Sequence, residues 1–182
     1  LAGEMRQAFG RYVAGNPQIH FSAGLSMTKP GLPIRQMGSL AEDDLDSAKA
    51  RRDDSGVVIK DAVTCFGYTV GWASFQKLLD IADELEVLRG ELGLSTGYLY
   101  GLQFLADMAE DLRGSQPRLE SALWPSRFAY QTWRMLESKR RFDLEARRRW
   151  QRRLAAILAE GIREHGSAFK IALFLHLYQH RY

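Results

Sequence analysis

Between Lys139 and Arg153 the chain carries eight basic residues in fifteen: Lys139-Arg140-Arg141, Arg147-Arg148-Arg149 and Arg152-Arg153, against only Asp143 and Glu145. Guanidinium groups at this density suit polyanions, since each offers a planar fork of donors and a permanent charge. Placed on a helix, Arg148, Arg149 and Arg152 face away from an apolar stripe through Trp150, Leu154 and Ile157, with Arg147 and Arg153 at its edges. Such a face could meet phosphates, meet an acidic protein partner, or simply be solvated.

The other reactive side chains offer less. Asp43-Asp44 is expected in the first turn of a helix, where acidic groups meet the dipole favourably, and Asp53-Asp54 in a solvated turn beside Ser55-Gly56. His176 and His180 are four apart and could bind a metal, but His180 is nearly terminal; neither is assigned a role, and no metal site is expected. Cys65, the only cysteine, sits in an apolar stretch as a core thiol. Trp124, Trp133, Tyr98 and Tyr100 invite a base-stacking reading, but helix-face spacing favours core packing for Trp133 and Trp150.

These groups need elements to hold them. Leu1–Ala14 reads as the end of a helix, with Met5, Phe9 and Val13 at spacings of four, stopped by Gly15-Asn16-Pro17. From Gln18, Ile19, Phe21, Ala23 and Leu25 alternate with His20, Ser22, Gly24 and Ser26, the period of a strand with one buried face. Pro30 and Pro33 bracket an extended turn. Ser39 and Glu42 have the spacing of a capping box, opening a helix that carries Leu40, Ala41, Leu45 and Ala48 and ends at Lys49. Val57–Phe66 reads as the next strand, reaching toward Trp72.

Beyond Trp72 strand patterning gives way to helical spacing. Phe75, Leu78, Leu79, Ala82 and Leu85 lie on one face, closed by Gly90 and Gly93. Ser95 or Thr96 caps a helix through Tyr98, Leu102, Leu105, Ala109 and Leu112; Pro125 opens another through Phe128, Thr132 and Leu136. A fourth follows through Trp150 and Ile162, and Gly166 separates it from a fifth at Ala168–Tyr178. Short loops between helices of this length predict a helical bundle. Charge divides the chain in the same region: 10 basic against 13 acidic residues up to Leu94, and 15 against 9 from Ser95 onward.

The order Ser22-Ala-Gly24, Lys29-Pro30, Pro33-Ile34, Ala48-Lys49, Lys60, Phe66-Gly67 and Trp72 resembles the second palm domain of the type III CRISPR effector large subunit, in its Csm-type (III-A) version. Thr96–Leu105 and Phe174–Arg181 resemble that subunit's C-terminal helical domain, so the likeness covers nearly the whole chain. The resemblance implies an α+β chain: the C-terminal half of a ferredoxin-like, cyclase-like palm over residues 1–72, then an all-α helical bundle over 73–182. It implies a parent that binds ATP with magnesium or manganese and makes cyclic oligoadenylates in antiviral defence when target RNA is captured. The family's Gly-Gly-Asp-Asp hairpin, which holds the metals, is absent here, so no catalytic residue is expected in this segment. What the resemblance places here is the phosphate side of the pocket. Lys49 matches a lysine that reaches nucleotide phosphates in diguanylate cyclase relatives. Lys60 matches the lysine of a Lys-Asn-Ala sequence, although Asp61 stands where Asn is usual, and Ser22 lies close to Gly24. Lys139, Arg140, Arg141, Arg148, Arg149 and Arg152 would face the crRNA–target duplex, the small helical subunit or the guide-binding subunit.

Two other readings stay open: a non-catalytic assembly or RNA-binding module, and a fragment of a diguanylate-cyclase-like enzyme, which the helical half disfavours. No apolar run approaches the ~20 residues of a membrane span and no signal peptide is visible, so the expected setting is cytoplasmic. A first residue of Leu fits an excised or split segment of a larger protein.

Overall fold

The computed structural model describes residues 1–16, 18–53 and 55–180. The fold is α-rich, with one small mixed sheet of three strands. It divides into two compact units, Leu1–Lys77 and Leu78–Tyr182.

The first unit opens with helix α1 (Ala2–Tyr12), which gives way to Ala14 and Gly15 at positive φ. Pro17, expected to help stop this helix, lies outside the described residues. Strand β1 (Ala23–Leu25), helix α2 (Ile34–Lys49), strand β2 (Ala62–Cys65) and strand β3 (Tyr68–Gly71) follow. β1 pairs parallel with β2, with Gly24 opposite Thr64, so α2 is the crossover of a β-α-β unit. β2 then turns back antiparallel into β3, with Cys65 opposite Tyr68. The two residues between them, Phe66 and Gly67, both have positive φ, as a mirror-image two-residue hairpin turn requires. All four β2 residues are buried, as a central strand covered on both faces demands.

Several expectations for this unit need correction. The strand expected from Gln18 is only Ala23–Leu25, and it does not alternate between buried and exposed: all three residues are half-buried. Upstream, the chain is held by aromatic contacts instead of a ladder. The Phe21 ring lies 5.1 Å from Phe9 and 5.5 Å from Trp72, and the Trp72 indole N–H donates to the Phe21 carbonyl at 2.6 Å. The strand expected over Val57–Phe66 begins only at Ala62. Val58 pairs instead with Arg52 across a local turn, in which one Asp53 oxygen accepts from the amides of Ser55 and Val57, each at 2.9 Å. Finally, Ser39 and Glu42 form no capping box. α2 starts five residues before Ser39, behind Pro33, and the Ser39 hydroxyl donates back to the Arg35 carbonyl at 3.3 Å. Serine at a cap and serine bonding to the residue four back share a sequence signature; Pro33, pre-set for a helix start, decided between them.

β1 and α2 touch closely at Gly24. A Cβ there would stand 2.4 Å from the Leu45 amide nitrogen and 2.5 Å from the Ala41 carbonyl oxygen, so only glycine fits.

Helix α3 (Trp72–Leu92) begins in the first unit and runs into the second. Phe75, Leu78, Ala82, Leu85, Leu88 and Leu92 are all buried along one stripe. Gly90 lies within it; Gly93, at φ 61°, terminates it. The remaining described elements of the second unit are helical: α4 (Thr96–Asp111), a 3-10 turn at Leu119–Leu123, α5 (Trp124–Glu137), α6 (Leu144–Leu154), a π-turn at Ala155–Ala159, α7 (Glu160–His165), a 3-10 turn at Gly166–Phe169 and α8 (Lys170–Gln179). Ser95 caps α4 by accepting from the Tyr98 amide at 3.2 Å, and Asp143 caps α6 by accepting from Ala146 at 2.7 Å. Pro125 occupies the first turn of α5. Leu102, Leu105, Leu136, Leu154, Leu158, Ile162, Phe169 and Ile171 form a fully buried core. Gly161 lets the Phe169 ring and Ile81 close over α7, since a Cβ there would meet them at 2.8 and 2.9 Å. Trp124 is buried, as core packing requires, and is no stacking surface.

Candidate functional site

In the first unit the β-α-β connection brings the candidate phosphate residues to one edge. A crossover helix runs antiparallel to the strands it joins, so the end of α2, where Lys49 sits, lies at the edge where β1 and β2 begin. Ser22 precedes β1 there and Lys60 precedes β2, and the Ser22 hydroxyl donates to the Lys60 carbonyl at 3.0 Å. That bond occupies the hydroxyl and ties the two strand starts together. The Lys60 side chain is exposed. Lys49 lies 3.9 Å from Asp46 one turn back, and as the last residue of α2 it meets the negative end of the helix dipole. Free backbone amides, the groups that bind anions at helix ends, are at the opposite end, near Ile34. A phosphate held on the Lys49 edge would therefore be met by side-chain cations and not by the free amides of a helix N-terminus.

The acidic pairs take structural places. Asp43 and Asp44 are not in the first turn of α2, which contains no acidic residue; they lie in its second half, and Asp44 accepts from the Ser26 hydroxyl at 2.8 Å. Asp53 closes its own turn, and hydrogen bonds led by the Ser55 hydroxyl hold its carboxyl below the usual range. Its neighbour Asp54 lies outside the described residues. Cys65 is fully buried, and burial, with a smaller push from the Asp44 charge, raises its thiol to about 12. A thiolate is therefore inaccessible at neutral pH.

In the second unit the basic run separates into two groups. Lys139 donates to the Gly93 carbonyl at 2.9 Å, and Arg141 donates to the Glu91 carbonyl, so both cap the end of α3. Arg153 bridges Glu91 at 2.8 Å and Glu84 at 3.6 Å, and its guanidinium lies 5.1 Å from the Trp150 ring. These three serve the fold. Arg148, Arg149 and Arg152 are exposed on α6, and with Arg140 they form no side-chain hydrogen bond or ion pair among the described residues. Lys139 and Arg141, expected on the same binding surface, direct donors to long-range carbonyls of the fold, which Arg140, Arg148, Arg149 and Arg152 do not.

Sequence reasoning missed one constellation. Glu86 of α3, His176 of α8 and His180 just beyond it converge, their ligand atoms all within 4.8 Å of one another. The signal was the four-residue histidine spacing; the third member, 90 residues earlier than His176, left no local trace. Bonding to His180 holds the Glu86 carboxyl below its usual range, and burial followed by the His180 charge lowers His176.

Compared with protein-family models, curated proteins and solved structures, the chain shows no significant match to any. Among the described residues, no helix is long and apolar enough to cross a membrane.

Proposed function

We propose that the chain is a segment of a type III CRISPR effector large subunit whose own task is docking rather than catalysis. In this reading residues 1–72 complete the cyclase-like palm and residues 73–182 form the helical bundle that seats on the ribonucleoprotein. The mixed β1-β2-β3 sheet with its α2 crossover, followed by an all-helical unit, is compatible with that division. ATP and magnesium or manganese belong to the parent; this chain lacks the Gly-Gly-Asp-Asp carboxylates that would clamp the metals and has no other catalytic group assigned to it. Lys49 and Lys60 would contribute charge at the edge of the parent's nucleotide pocket, with Ser22 bracing Lys60.

The observation that carries the reading is the difference among the basic residues. Arg148, Arg149 and Arg152 are exposed and have no described partner, on a helix where Arg153 is bound to Glu84 and Glu91 and Arg147 is half-buried. Exposed guanidiniums held on a regular helix neutralise the phosphate backbone of RNA, the crRNA–target duplex of the complex, without reading sequence. Replacing all three with Gln in the assembled complex should weaken RNA binding and shrink the log–log salt slope by ~2–3 units. Loss of the small helical subunit with RNA affinity intact would assign the face to protein docking instead.

A further inference from the structure

The geometry points to a divalent metal site at Glu86, His176 and His180, which takes a late first-row ion, zinc by preference, and straps α8 to α3. The site is independent of the RNA-facing arginines and of the resemblance.

Its donor set is two imidazole nitrogens and one carboxylate oxygen. That is a three-ligand zinc set, which leaves a fourth tetrahedral position to water. His176 and His180 are four residues apart, so successive turns place both rings on one face of α8, with centroids 4.8 Å apart. Their Nδ1 and Nε2 atoms, respectively, both point at Glu86 Oε2: His176 Nδ1 lies 3.4 Å from it, and His180 Nε2 is in hydrogen-bond contact. Metal bonds of about 2.0–2.1 Å at tetrahedral angles set donor atoms about 3.3–3.4 Å apart, so the His176–Glu86 spacing already fits a shared ion.

A second observation comes from His176 itself. The residue is 1% exposed, and its Nδ1 is buried without a hydrogen-bond partner, although it faces the carboxylate. Burying an imidazole nitrogen without a partner is costly, and an ion between it and Glu86 would satisfy it. Glu86 lies within ion-pair distance of both rings, yet only the His180 contact is a hydrogen bond. Imidazole with carboxylate suits zinc and its neighbours in the first row better than magnesium or calcium, which prefer all-oxygen shells. Arg89, one turn along α3 from Glu86, adds a positive charge that lowers affinity without removing a ligand. The resulting strap links residues 94 apart in sequence and pins the end of α8.

Titration of the metal-stripped full chain with zinc, followed by calorimetry and by competition with a chromophoric chelator, tests this. One zinc per chain is expected, with a Kd at or below about 10 μM. At a free zinc concentration about 100-fold above Kd, the melting temperature should rise by about 5–10 °C. Cobalt in place of zinc should show the visible absorption of a four-coordinate site. His176 is buried, and its replacement could unfold the chain, so the exposed ligands carry the test. His180→Ala and Glu86→Gln should each weaken zinc at least about tenfold with an unchanged far-ultraviolet spectrum, whereas His20→Ala, far from the cluster in sequence, should bind as the parent does. Absence of saturable 1:1 uptake, or uptake that survives both ligand substitutions, would overturn the site and leave Glu86 and His180 as an ion pair only.

Discussion

The hydroxyls of Tyr98 on α4 and Thr132 on α5 lie 2.9 Å apart inside the helical unit, both residues almost entirely shielded from solvent. Each satisfies the other where water cannot, and burial pushes the Tyr98 phenol up to about 12 despite the opposing Thr132 bond. Removing one partner strands the other. Thr132→Val should cost ~1–3 kcal/mol in urea unfolding, and Tyr98→Phe a similar amount. The double variant should cost less than the sum, because no polar atom is then left unpaired. Strict additivity would show that the two hydroxyls do not depend on each other.

Gly24 tests the first unit in the same direct way. Gly24→Ala must push β1 off α2, because the new methyl would overlap the backbone at Leu45 and Ala41. Backbone cannot swing aside as a side chain can, so a loss at or above the usual ~1–3 kcal/mol of overpacking is expected. Limited proteolysis and thermal melting read it; a stability within ~0.5 kcal/mol of the parent would mean that the strand and helix are not in contact there.

Asp111 makes stability depend on acid. Its carboxylate accepts from the Ser121 hydroxyl at 2.6 Å and from the Arg118 amide at 2.9 Å, and these bonds lower its pKa below the unfolded value. A depressed carboxyl contributes stability that is complete above the unfolded pKa, near 4, and is lost as pH falls through the folded one. Asp111→Asn should therefore lower stability at pH 6 and flatten its decline below about pH 4. Denaturation midpoints from pH 2 to 7 measure both, and parallel curves for the two proteins would refute the assignment.

The two groups of basic residues should separate in a stability assay. Lys139→Gln with Arg141→Gln removes the cationic cap on the end of α3, at ~0.3–1 kcal/mol each, and lowers the melting temperature. Arg148→Gln, Arg149→Gln and Arg152→Gln together remove no described hydrogen bond or ion pair, and glutamine keeps nearly the same helix propensity, so melting should hardly change. A drop from the second set as large as from the first would mean that these arginines serve the fold.

What could be read from residue order is the part of the fold governed by neighbours. Ser95 before α4, Pro125 in the first turn of α5 and Gly93 after α3 act within one turn of backbone, so their types alone predict those boundaries. The same holds for the stripe from Phe75 to Leu85 and for the outward placement of Arg148, Arg149 and Arg152 on α6. Elsewhere one local pattern permits two outcomes, and distant contacts choose between them. Ser39 could begin a helix or sit inside one. The apolar run through Phe66 and Gly67 could continue or fold back; it folds back, and β2 ends between β1 and β3. Lys139 and Arg141 carry the same charge as Arg148, but only they come within reach of the carbonyls that end α3. Glu86 meets His176 and His180 solely through the packing of α3 and α8. No periodicity encodes a meeting of side chains 90 and 94 residues apart, because chain connectivity constrains only near neighbours and burial of the apolar stripes sets the rest.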